Sequence, residues 1–359
     1  MEHITNPKVA VIKTSPETIL SDIKNAMELA DYQFYLKPTH STILKVNTSW
    51  QHYYPACSTS PWQLDGVISV LKDAGYNEII PAHNGTVVVN SREGELNNKH
   101  KSVQEMHNLR SVHLEDMKWI PFDGIDDLLV LNKIYEDGIY IPEILVDKNI
   151  VHLPTMKTHV FTTVTGAMKN AFGGLLNFQR HWTHSVIHET LVDLLRIQKQ
   201  IHPGIFAVTD GTFAGSGSGP RAMAWHEKNT IIAGADQVAV DAVAAHMMGF
   251  DPMKIPFIRI AHELGLGCGE IKKIDILGED VQKVNWNFNV GNTFASKGQK
   301  LIYWGPLKPL EKMLLRSWVT PLAYLASNIY HNQYWLNVIG KKRIKQAMKT
   351  KWGELFNKY

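Results

Sequence analysis

The chain has 359 residues, 44% of them apolar and 20% charged, which exceeds the usual single domain and excludes a disordered or fibrous protein. The net charge of +3 is unevenly placed: residues 301–359 hold ten Lys and Arg against two Glu, a local +8 that leaves −5 for the first 300 residues. A mildly acidic body speaks against a protein whose whole surface tracks nucleic-acid phosphates, and only two cysteines, Cys57 and Cys268, are too few for a disulfide framework, a four-cysteine zinc site or an iron–sulfur cluster held by this chain alone.

Residues 1–11 lack the basic start and apolar run of a secretory signal, and no uninterrupted apolar run of about 18 residues occurs, so a cytoplasmic location is expected. The run at 42–47, TILKVN, predicts a buried strand. Ser60 followed by Pro61 predicts an N-cap with proline in the first turn of a helix, in which Leu64, Val67, Ile68 and Leu71 recur at helical spacing. Gly75 stands where a left-handed C-terminal residue belongs, and a second strand is expected at 78–82. Strand, helix and strand of this length form a right-handed parallel crossover.

The pattern recurs. Strands are expected at 149–153, 205–209 and 230–233, and helices at 185–197 and 237–248, the last capped by Asp236 and ended by Gly249. This alternation predicts an α/β fold, Rossmann-like, with a mostly parallel sheet covered by helices on both faces. The polar segment 91–145, with His100, His107 and His113 in no clear period, reads as an insertion or cap. Residues 301–359 read as a basic, aromatic-rich helical extension in which Trp304, Trp318, Trp335 and Trp352 alternate with lysines. Arg316 and Pro321 interrupt its apolar stretch at 313–330. Such an extension packs on the body or on another subunit, or else lies on an anionic membrane surface; the broken apolar stripe favours packing.

Ligands of a parallel α/β sheet gather beyond the carboxyl ends of its strands. The expected strands run into Asn47, His83, the segment after Leu153, Asp210 and Asp236, five polar ends that a shared rim would bring together. Asn and Asp also serve plain turns there. The stretch at 153–174, LPTMKTHVFTTVTGAMKNAFGG, is different in kind: it sets Lys157, His159, Thr165, Lys169 and Asn170 among small and apolar residues. Lysines beside threonine hydroxyls and helix-end N–H groups suit a phosphate or carboxylate, and a desolvated lysine suits proton transfer or nucleophilic work. The glycine-rich stretch at 211–220 lacks the dinucleotide fingerprint and reads as a flexible loop.

The stretch from Leu153 to His159 and the run Thr165-Gly166-Ala167-Met168-Lys169-Asn170-Ala171-Phe172-Gly173 resemble the motif of the DUF362 family. Lys45-Val46-Asn47, Asp210-Gly211 and the run from Ala235 to Ala242 before Gly249 resemble it further, so that the likeness covers roughly residues 8–280. Many members of that family carry ferredoxin-type cysteine motifs. This chain has none, so the resemblance implies no iron–sulfur cluster here.

A looser likeness is to lactate racemase-type enzymes, which bind a nickel-pincer nucleotide through a lysine ten residues after a catalytic histidine. His159 and Lys169 keep that spacing, and His181, His184 and His188 follow. The likeness implies His184 as a metal ligand. Taken together, the residues lead us to expect an enzyme of isomerase or epimerase type acting on a small anionic or phosphorylated substrate. Lys157 and Lys169 would hold the anion and His159 would move a proton, with Asn47, His83, Thr165, Asn170, Asp210 and Asp236 as ligand-binding groups. The alternatives are a non-catalytic cofactor- or metal-binding protein and a peripheral membrane protein recruited by its tail.

Overall fold

The computed structural model describes residues 6–86, 89–311 and 328–359. Its central sheet is built from β1 (Lys8–Lys13), β2 (Thr42–Val46), β3 (Ile79–His83), β4 (Val112–His113) and β5 (Asn149–Leu153). They are followed by β6 (Thr155–His159), β7 (Thr163–Thr165), β8 (Ile205–Ser218), β9 (Ala222–Glu227), β10 (Thr230–Gly234) and β11 (Asp275–Gly278). Across the sheet the order is β11-β1-β10-β8-β5-β2-β3-β4, with β9 and β6 paired to β8 and β7 paired to β6. Strands β8, β5, β2, β3 and β4 are mutually parallel.

Both faces of the sheet are covered. Val9 and Val11 pack into one core with the helices Ile187–Ile201 and Gln237–Met248, while Ala10 and Ile12 pack into the other with Ile19–Leu29 and Pro61–Asp73. Alternation on a strand with two apolar faces leaves no polar side, which is why β2 and β5 are buried along their whole length.

The helix boundaries follow the expected chemistry. Ser60 accepts from the Gln63 N–H at 3.3 Å while the Gln63 side chain accepts from the Ser60 N–H, and Gly75 has φ 81° beyond the helix end. Asp236 accepts from Val238 and Ala239 N–H at 2.9 and 3.0 Å, and Gly249 closes that helix at φ 99°.

Two expectations are corrected. Strand β10 runs antiparallel to both β8 and β1, pairing Gly234 with Ala207 and Ile231 with Asp210. Its carboxyl end, and with it Asp236, therefore lies at the amino ends of the parallel strands, away from Asn47. Nor does a strand end at Asp210: β8 continues to Ser218, because its pairing passes from β5 to β6 and β9. The glycines at 211–219 are thus strand and turn positions under close neighbours. A Cβ on Gly215 would lie 2.4 Å from Met223 Sδ, and one on Gly219 would overlap the Thr158 carbonyl at 1.8 Å.

Residues 91–145 contribute three short helices, Ser91–Asn97, His100–Met106 and Leu131–Ile134, the edge strand β4, and a separate pair formed by Trp119–Pro121 and Tyr140–Pro142. In the tail, Trp335 and Trp352 are buried in the second core, so that residues 328–359 pack on the body. Residues 312–327, which include Met313, Arg316, Trp318 and Pro321, lie outside the described residues. Among the described residues no helix is long and apolar enough to cross a membrane.

Candidate functional site

A cavity of about 320 Å3 opens beyond the carboxyl ends of β2 and β3, where parallel sheets expose free loop backbone. It draws its wall from six places: Lys45 to Ser49, Asn84 to Val89, the stretch from His159 to Gly173, the turn from Phe178 to His184, the turn at Ser218 to Arg221, and residues beyond 290 that include Gln299, Tyr303 and His331. Of the residues expected from the sequence, Asn47, His159, Thr165, Lys169, Asn170 and His184 line it.

Lys45, Arg180 and Arg221 are the cations that sequence reasoning passed over as site residues. Lys45 sits inside the apolar strand β2 and is 2% exposed; its Nζ donates to the Val46 carbonyl at 2.6 Å. A lysine in a fully buried strand was the available signal. Arg180 is 7% exposed, projects from the 3-10 turn Phe178–Val186 and donates to the Gly85 carbonyl. An added Cβ at Gly173 would lie 3.9 Å from both Lys45 Nζ and Arg180 Nη1, so the two cations face one space above that glycine. Arg221 donates from Nε to the Ser49 carbonyl at 2.9 Å, and the Lys169 ammonium lies 5.4 Å from the Phe172 ring centre.

Lys45 and Arg180 are buried, while Lys169 and Arg221 are half-buried. Burial first, then the Arg180 charge, pushes Lys45 down to about 7; burial, Lys157 and Arg180 do the same to Lys169. Arg180 is lowered to about 10 by burial. No Asp or Glu is among the described lining residues. Glu115 acts on Lys45 and Arg180 from behind the wall, where it accepts from Gly85 N–H at 2.9 Å. The Thr165 hydroxyl is buried with no hydrogen-bond partner among the described residues. Four cations and one unmet hydroxyl thus share a described lining without a carboxylate.

The histidines are oriented. Nδ1 of His159 accepts from the N–H groups of Phe161 and Thr162 at 3.2 and 3.3 Å, which leaves the proton of the neutral ring on Nε2. Burial and the Lys169 charge hold its pKa well below the ordinary value, so His159 presents a neutral N–H donor. His184 is the reverse: Nδ1 lies 3.0 Å from the His181 carbonyl, leaving a bare Nε2, and burial lowers its pKa to about 4.

The lysine segment is anchored at two points. Asn170 donates to the Lys45 carbonyl at 2.7 Å, and Asp241 accepts from Ala167 and Met168 N–H at 2.6 and 3.0 Å. Gly166 exists for this second contact, since a Cβ there would overlap the Asp241 carboxylate at 2.0 Å. Asp241→Asn replaces one of those two acceptors with a donor. It is expected to lower stability by about 1.5–3 kcal/mol in denaturant titration.

The other expected residues lie off the cavity. Lys157 is fully buried behind it and donates to the carbonyl of Cys57, to Thr155 Oγ1 at 2.8 Å and to Ser49 Oγ at 3.2 Å; burial lowers it to about 8. That ammonium ties the 49–57 loop to β6. His83 is fully buried, 3.3 Å from Thr48 Oγ1 and 3.8 Å from Glu95. Asp210 is buried in mid-strand, where it accepts from Thr212 N–H at 2.7 Å, and Asp236 caps its helix and accepts from Cys268 N–H at 2.8 Å. As for a metal, His184 is surrounded by the rings of Phe161, Phe172 and Tyr303, and no group of three His, Cys, Asp or Glu among the described residues is placed to hold an ion. These residues do not fit a nickel centre.

Comparison with known proteins gives a family without an assigned activity. The family described as "Domain of unknown function (DUF362)" matches residues 42–246, which include Lys45, Lys169, Arg180 and Arg221 but not Tyr303 or His331. A thylakoid-associated protein of Synechocystis sp. (strain ATCC 27184 / PCC 6803 / Kazusa) is 30% identical over 124 residues, covering 33% of this chain and 37% of that protein. The match thus spans about a third of that relative's length. No solved structure matches the chain.

Proposed function

The chain belongs to the DUF362 family, and from that premise we propose that its cavity binds a small organic anion, a phosphate or carboxylate, on which Lys169 transfers a proton. The observation that carries this reading is the convergence of Lys45, Lys169, Arg180 and Arg221 on one cavity with no carboxylate in its described lining. Cations gathered in this way repel one another and have lost part of their solvation, and a bound anion relieves both costs at once.

The roles differ from a simple histidine-base scheme. Both nitrogens of His159 are occupied, Nδ1 by two backbone donors and Nε2 by its proton, so it is poorly placed to abstract one. It is suited to donate from Nε2 to an oxygen on which negative charge develops. Lys169, lowered to about 7, is partly neutral at physiological pH and has the amine lone pair a base needs. Removal of a proton beside a carboxylate or carbonyl by Lys169, with charge taken up against His159 and the cations, is the half-reaction of an isomerase or epimerase.

Incubating the full chain with phosphorylated 2-hydroxy acids in D2O, followed by proton NMR, tests the reading. Solvent exchange of the hydrogen beside the carboxylate is expected with the wild type and lost in Lys169→Met. Calorimetry with sulfate separates binding from chemistry: sulfate binding without exchange on any of these acids sinks the catalytic half, and absence of sulfate binding sinks the whole.

A further inference from the structure

Beside its cations the cavity has a second kind of wall. Phe161 meets Tyr303 edge to face at 5.5 Å, His184 stacks on Tyr303 at 5.6 Å with 19° between the rings, and Phe172 meets His184 at 5.7 Å. All four line the cavity. The two walls join at Lys169, whose ammonium lies over Phe172, and at His159, whose ring is 5.7 Å from Phe161. A small hydrophilic anion has no use for such a surface.

The apolar character also continues outward. Phe178, another lining residue, is 50% exposed. Trp304 packs 5.7 Å from Phe161 and 5.8 Å from Tyr303, yet is 43% exposed, with Leu301 and Leu307 exposed beside it. Tyr303 belongs to the helix Phe294–Tyr303, beyond the span matched by the family. This chain therefore builds the aromatic wall partly from residues outside the span that supplies the cations.

Resting on the anion reading above, we infer that the ligand is amphiphilic: an anionic head seated among Lys45, Lys169 and Arg180, and an apolar substituent lying along Phe161, Phe172 and Tyr303. The volume, about 320 Å3, sits at the small end of ligand pockets. It holds a head group and a short apolar group, and a longer chain would leave past Phe178 and Trp304. Each methylene buried along the wall then tightens binding by roughly fourfold, whereas hydroxyls placed there lose their hydrogen bonds to water without replacement.

Calorimetric titration of the full chain with inorganic phosphate, glycerol 3-phosphate, butyl phosphate and hexyl phosphate tests this, all below any micelle-forming concentration. Hexyl phosphate is expected to bind at least about tenfold more tightly than glycerol 3-phosphate, with butyl phosphate between them. Phe161→Ala should narrow that gap, each alkyl phosphate being compared with inorganic phosphate on the same variant. Inorganic phosphate binding with no advantage for hexyl over glycerol 3-phosphate overturns the apolar substituent and leaves the anion site standing. An advantage that survives Phe161→Ala undiminished also overturns it, because the chain is then seated elsewhere. If inorganic phosphate itself does not bind, both readings fall together.

Discussion

Replacing Lys45 with methionine is expected to weaken sulfate binding strongly while raising the melting temperature of the ligand-free protein by a few degrees. The two effects share one cause. The Lys45 ammonium is 2% exposed and faces Arg180 above Gly173, so the empty protein carries a desolvated, repelled charge that a methionine of similar shape does not. With an anion present, the same charge becomes its partner. Its removal should weaken sulfate by at least about 30-fold, the equivalent of about 2 kcal/mol for a lost buried charge partner.

The pH dependence follows from the direction of the shift. Lys45 and Lys169 are lowered from 10.5 to about 7, so the folded protein releases these protons before the unfolded chain does. The stability lost by burying the charges is lost in full below about pH 7 and recovered as pH rises toward 10.5. Sulfate binding runs the other way, because sulfate prefers the protonated lysines and does not itself titrate in this range. Its affinity should be greatest below pH 7 and fall by about tenfold per unit above it for each lysine that must take up a proton. A flat profile between pH 6 and 9, or a Lys45→Met protein that keeps wild-type affinity, would remove Lys45 from the site.

The largest loss of stability is expected from Trp352→Ala. Trp352 is 1% exposed, lies 5.0 Å from the Trp62 ring and donates to Asn229 Oδ1 at 2.7 Å, so it joins the last turn of the chain to the first helix of the crossover unit. Emptying a site of that size costs about 3–5 kcal/mol, and the stranded Asn229 acceptor adds to it. Urea denaturation checks the value. A loss below about 1 kcal/mol would mean that residues 341–359 do not rest on the body in solution.

Trp352 also marks the border between what could be read in advance and what could not. Tryptophans among lysines permit either a packed extension or a membrane-lying one, and the broken apolar stripe favours packing without naming a partner. For Trp352 the partners are Trp62 and Asn229, nearly 300 and over 100 residues away along the chain. Lys45 is a different case. Its place in TILKVN was evident, and a lysine in a strand buried on both faces needs a reason; only the position of Gly173 and Arg180 supplied one. Arg180 and Arg221 had no local signal, because nothing in their neighbours distinguishes a cation aimed into a cavity from one aimed into water.

By itself the sequence determined the elements and their punctuation: the strands Thr42–Val46 and Asn149–Leu153, the helix capped by Ser60 and opened by Pro61, the helix between Asp236 and Gly249, and the motif that carries Thr165, Lys169 and Asn170. Those depend on backbone conformation and hydrogen bonds within a few residues, which side chains nearby dictate. The tertiary structure decided the direction of the strand Thr230–Gly234, the continuation of a strand through Asp210, and which polar groups share the cavity. A strand's residues carry the same alternation whichever way it runs, and a buried charge acquires its meaning from neighbours that only the folded chain brings near.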